Sequence, residues 1–151
     1  MAHAFRTRRS SDPGTVRVRD INAGASNSSP NNLTNVGGPP YFGANDGTNG
    51  TALWKSDGTP EGTVLVKDIN PGPSPYGFPA SSRPRNLTNV NGTVFFNANG
   101  GNGYELWKSD GTPAGTVLVK DIFAGGGNSK PQQLTDVNGM LFFIATTSAN
   151  G

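Results

Sequence analysis

The chain has no cysteine and a single histidine, His3, close to its start. Without thiols there is neither a disulfide framework nor a thiolate metal site. One histidine outside the patterned part of the sequence leaves His-based catalysis nothing to build on. No apolar run approaches the length of a membrane span, and MAHAFRTRRSS has no apolar stretch behind its cations, so neither membrane insertion nor a signal peptide is expected. Net charge is scarce too. The formal balance is +2, and the cations cluster only at Arg6, Arg8, Arg9 and at Arg83, Arg85, so nucleic acid is not an expected partner. No paired carboxylates recur at a distinctive place. Asp20, Asp68 and Asp121 each follow a Lys or Arg at the same point of a repeat, which reads as turn chemistry or salt bridges between repeats. The chain is not expected to be an enzyme.

What the sequence has in quantity is turn formers and repetition. Residues 53–69, LWKSDGTPEGTVLVKDI, return with one change as residues 106–122. The GTV motif begins at Gly14, Gly62 and Gly115, and the LTxV motif at Leu33, Leu87 and Leu134, so one unit spans 47 or 48 residues except where the stretch between Ile69 and Leu87 is longer. A period of roughly 40–50 residues suits propeller blades or helical repeats. Gly, Pro, Asn and Asp interrupt every unit at intervals too short for a three-turn helix, which excludes the second.

Between those interruptions lie four strand-like runs per unit, called here A (NLTNV, QLTDV), B (TVFFNA, MLFFIA), C (TALWKS, YELWKS) and D (GTVLVKDI). Asn91-Gly92 and Asn138-Gly139 join A to B, as a type I′ hairpin requires. The SDGTPxGT segment joins C to D, with Asp57 and Asp110 placed for Asx-turns. Each unit therefore reads as a four-stranded antiparallel meander. The continuous apolar runs at 64–66, 94–96 and 141–144 imply strands covered on both faces, as in sheets stacked on sheets. Phe95, Phe96, Trp54 and Trp107 are expected in the core between them.

The LWKSDGTPxGTVLVKDI signature with LTxVNGxLFF resembles the ELWxxDGT repeat family of bacterial proteins, and the run order is similar to that of kelch blades. The resemblance covers the chain from about Phe5. It is weakest in the first unit, where AFRTRRSSDPGTVRVRDI puts Arg6 near the tryptophan position and Arg17 in place of Leu65. It implies a propeller-like architecture and an extracellular or cell-surface setting, and it brings no catalytic residues.

The expected fold is thus all-β, a β-propeller of four-stranded antiparallel blades within one repeat domain over 1–151. Complete blades are expected at about 31–69 and 85–122. A split blade would take its C and D runs from residues 1–22 and its A and B runs from residues 130–147. Propellers have about four to eight blades, so three cannot close. Unpaired edges pair with whatever is available, which points to a homodimer with six blades or, where the join does not close, to a filament acting as a structural subunit. The expected assembly interface comprises Phe5, Val16, Val18, Ile21, Leu134, Val137, Leu141, Phe142 and Phe143.

Strand alternation puts the B–C loops and D–A connections on one face, with a loop insertion at 71–86. There Tyr76, Phe78, Arg83 and Arg85 offer rings and planar donors suited to glycans, or else aromatics that cap the blade beneath. Asn45, Asp46, Asn49, Asn99 and Asn102 extend this candidate ligand-binding set. No cofactor is expected. The oxygen-rich Asn45, Asp46 and Asn49 are the residues that could take Ca²⁺, against a plain turn. The N-x-[ST] triplets at Asn27, Asn32, Asn49, Asn86 and Asn91 follow from the turn composition.

Overall fold

A computed structural model describes residues 16–148. Ten short strands, and no helix, are formed among them. Strands β1 (Asn31–Thr34), β2 (Tyr41–Asn45), β3 (Thr51–Lys55) and β4 (Val64–Lys67) make one antiparallel sheet in that order. A second sheet repeats it with β5 (Arg85–Val90), β6 (Thr93–Asn99), β7 (Tyr104–Ser109) and β8 (Val117–Lys120). β9 (Gln132–Val137) and β10 (Met140–Ile144) form a two-stranded third sheet. No sheet closes on itself.

The near-verbatim repeat becomes a near-verbatim structure. Phe42 pairs with Trp54 and Trp54 with Leu65; Phe96 pairs with Trp107 and Trp107 with Leu118. Each of the two full sheets thus carries a Phe–Trp–Leu row. The tight turns at Asn91-Gly92 and Asn138-Gly139 have positive φ at both residues, +50° and +83°, then +53° and +83°. That is the type I′ geometry that Asn-Gly tolerates. The SDGTPxGT segment is held by its own side chains. Asp57 Oδ1 accepts from Thr59 N (2.8 Å) and Thr59 Oγ1 (2.7 Å), Gly62 N donates to Thr59 Oγ1 (2.9 Å), and Ser56 Oγ lies 2.7 Å from Thr63 Oγ1. Asp110, Thr112, Gly115, Ser109 and Thr116 repeat every one of these bonds. Gly62 and Gly115 are required because a Cβ at either would run into the Asp57 or Asp110 carboxylate.

The first strands of the three sheets stand side by side, β1 against β5 and β5 against β9. Thr34 Oγ1 donates to Leu87 O (3.2 Å) and Thr88 Oγ1 to Leu134 O (3.1 Å). Asn86 Nδ2 reaches Pro131 O at 3.2 Å. Asn32, Asn86 and Gln133 take positive φ of +54°, +55° and +55°, where the register of each first strand shifts. Such bulges let the strand bend against its neighbour.

The main core lies between the first two sheets and gathers Leu53, Val66, Leu87, Val94 and Phe96, with Trp107 packed on it. A second cluster places Ile21 against Phe42, Ala44 and Trp54. Each such Leu or Phe contributes roughly 1.5–3 kcal/mol by leaving water.

Several expectations need correction. Burial on both faces is not general. Residues 117–119 and Phe142–Ile144 are open in the single chain, with Phe142 54 % and Ile144 52 % exposed, because no further sheet covers them. Residues 16–20 form no strand: the C run that would pair with them in the repeat falls before residue 16, outside the described residues, as does Phe5. Among the described residues the cations beside the repeated aspartates make no salt bridges between repeats. Lys67 Nζ donates to Pro113 O (3.1 Å) and Thr116 O (2.8 Å) of the next sheet, and Arg19 Nη1 to Pro60 O (3.1 Å) and Thr63 O (2.6 Å). The ion pair formed among the described residues, Arg17 with Asp20 at 3.2 Å, is local. Backbone carbonyls at a tight turn are fixed acceptors, whereas the aspartates are occupied with their own turns, Asp68 by Asn70 N and Asp121 by Gly125 N.

Candidate functional site

Two features of the surface are candidates, a cleft at the loop end of the sheets and an open edge at β8 and β10.

The cleft begins with the 71–84 segment, rich in proline and glycine. Ser74 N donates to Phe78 O (2.6 Å), Gly77 N to Ser74 O (3.0 Å) and Ala80 N to Gly72 O (2.9 Å), closing a small hairpin. Its base is fastened to β3: Thr51 N donates to Ser81 Oγ (3.0 Å), while Ser82 Oγ and Arg83 N both donate to Thr51 O, at 3.1 and 3.0 Å. Tyr76 and Phe78 project from it 85 % and 71 % exposed, so they do not cap the sheet beneath.

Under this hairpin, beside the β2–β3 and β6–β7 loops, lies a cleft of about 930 Å³. Of the residues chosen from sequence, Tyr76, Phe78, Arg83, Asn45 and Asn99 line it, and Asp46, Asn49, Arg85 and Asn102 do not. Arg85 faces a smaller recess with Asn31 and Asn32, and Asn102 one beside Trp107. Sequence reasoning missed Asn22, Asn70 and Tyr104, which also line the cleft. The first two were legible as the same position, the residue after Asp-Ile, in successive units.

Asp46 is closed on its own loop, accepting from Thr48 N (2.9 Å), Asn49 N (2.7 Å) and Asn49 Nδ2 (2.7 Å). Burial pushes its pKa up, but the bonds from Asn49 and Thr48 outweigh that and hold it below the usual carboxylate range. Asp68 goes the other way, raised by burial and by the negative charge of Asp46 against the bond from Asn70 N. Among the described residues no three of His, Cys, Asp and Glu converge as a cation site. Both oxygens of Asp46, the one carboxylate of the proposed Ca²⁺ set, accept bonds within the loop.

Glu105 is a further residue sequence reasoning passed over. It is buried, and its carboxyl accepts from Ile122 N (2.8 Å), Ser129 N (3.1 Å) and Ser129 Oγ (2.6 Å), tying down the β8–β9 connection. Its counterpart in the first sheet is Ala52, which has no carboxyl to play this part. Its signal was an acidic residue inside an apolar strand.

At the open edge, Val137, Phe142 and Phe143 are exposed and Leu134 and Leu141 half-buried; Val16, at the other end of the described chain, is exposed too. Val18 and Ile21 are instead buried within the chain, Ile21 in the cluster with Trp54. Ser28, the counterpart of Ser82 and Ser129, is buried, and its hydroxyl has no partner among the described residues. Those two donate to the first carbonyl of the C strand before them, Thr51 O and Tyr104 O, each at 3.1 Å.

Neither a family model, nor a curated protein, nor a solved structure matches the chain.

Proposed function

We propose that the chain is a non-enzymatic repeat module, a half-propeller whose third blade is completed by a second copy, giving a twofold ring of six blades. The observation that carries this is the series of bonds between one unit's D run and the next unit's C–D turn. Arg19 and Lys67 each reach two carbonyls there, and Lys120, third in the series, has no such turn to reach among the described residues. The β9–β10 hairpin lacks the outer two strands that both full sheets have, and its apolar side chains are exposed with no further sheet to cover them. The C and D runs at the start of a second copy keep the outline of those strands' sequence, GTVRVRDI against GTVLVKDI in the D run.

The reading carries with it the extracellular or cell-surface setting that the ELWxxDGT resemblance implies.

The test is absolute mass by light scattering on the purified full chain. Twice the 15.6 kDa monomer is expected. High polymers would replace the ring with a filament built by the same blade completion, and a folded monomer at all concentrations would overturn the proposal.

A further inference from the structure

The cleft beneath the 71–84 hairpin is formed within one chain, so what it binds is a question separate from assembly. We propose that it is an oligosaccharide site, in which Tyr76 and Phe78 stack on sugar rings and asparagine amides read their hydroxyls.

The amides are the strongest observation. Asn22 is only 8 % exposed, yet it lines the cleft and its side chain makes no hydrogen bond among the described residues. An amide held in place by burial of the rest of its residue, with no partner in the protein, is free to bond a ligand in the cleft. Asn45 Oδ1 accepts from Gly47 N and Asn99 Oδ1 from Gly101 N, both at 2.8 Å, which fixes each side chain and leaves each Nδ2 to donate elsewhere. Asn70 adds a fourth amide to the lining. An amide carries both donors and an acceptor, the complement of vicinal hydroxyls, each of which both donates and accepts.

The aromatic residues supply the flat surface. Tyr76 and Phe78 are held out in solvent on a hairpin closed by three backbone bonds and stiffened by Pro71, Pro73, Pro75 and Pro79. Rings exposed on a rigid loop gain nothing from packing, and little ordering entropy remains to be lost when a ligand covers them.

The lining also decides against other ligands. Its aliphatic content is proline and Ala80, too little to bury an apolar molecule. Arg83 is its one cation, too few for a phosphodiester chain. The Arg83 guanidinium makes no side-chain bond or ion pair among the described residues, and its planar fork fits a carboxylate, so a sugar bearing one, a uronate, is the favoured form.

Calorimetric titration of the full chain with trigalacturonate and with neutral galactotriose tests this. Trigalacturonate is expected to bind with Kd between about 10 µM and 1 mM, and galactotriose about tenfold more weakly. Tyr76→Ala and Phe78→Ala should each weaken binding about tenfold or more while leaving the melting curve unchanged, since both side chains are exposed. Arg83→Gln should remove the preference for trigalacturonate. Equal binding of the two sugars by the unaltered chain would overturn the role of Arg83. Binding of neither at about 5 mM, or binding that survives both aromatic variants, would overturn the site. So would tighter binding of a single-stranded oligouridylate.

Discussion

At the scale of single residues, the repeated SDGTPxGT segment makes the clearest predictions. Asp57 and Asp110 are held below the usual carboxylate range by the hydroxyl and backbone N–H of Thr59 and Thr112, which bind the charged form. A depressed folded pKa contributes stability above the unfolded value of about 3.9 that is lost as pH falls through the folded value. Thermal melts should therefore drop below about pH 4, and Asp57→Asn with Asp110→Asn should flatten that drop. Gly115→Ala should destabilise by about 1–3 kcal/mol in denaturant titrations, because its new Cβ strikes the Asp110 carboxylate. Glu105→Ala strands the N–H groups of Ile122 and Ser129 and should cost about 3 kcal/mol by the same measurement. A lone glutamate in an apolar strand was visible in the sequence, but the two N–H groups it serves come from a connection whose path sequence does not reveal.

At the scale of elements, the strands were largely legible because their boundaries are chemical. Asn-Gly specifies the turn between β9 and β10, and SDGTPxGT carries the bonds of its own turn. The 71–84 hairpin was legible only as an insertion. That its aromatics point outward depends on Ser81 and Ser82 fastening its base to Thr51, an encounter across 30 and 31 residues of chain. Ser82→Ala loses a hydrogen bond to Thr51 O and should lower stability by about 1–2 kcal/mol in a denaturant titration.

At the scale of the whole molecule, blade completion predicts that stability depends on concentration. An assembly in equilibrium with its parts melts higher as protein concentration rises. Differential scanning calorimetry over a hundredfold concentration range should show this for the unaltered chain. Phe142→Asp combined with Lys120→Glu should abolish the dependence, since one puts a charge on the exposed β10 face and the other reverses the cation expected to reach the neighbouring turn. Such point changes are cleaner than deleting residues 1–21, which would strip Ile21 from its cluster with Phe42 and Trp54.

The sequence by itself determined the all-β class, the position of nearly every strand and the inner structure of each turn. These rest on contacts between residues less than about ten apart, where residue type and spacing suffice. Only the tertiary structure decided which apolar runs are covered. Residues 64–66 and 117–119 are the same letters, VLV, yet Val66 is buried against the second sheet and the later run is open. Tertiary structure also decided that Asn22 and Asn70 join Tyr76 and Phe78 around one cleft while Asp46 turns back on its own loop. Burial and convergence are properties of neighbours far apart in the chain, and identical segments acquire different neighbours according to where the stack of sheets ends.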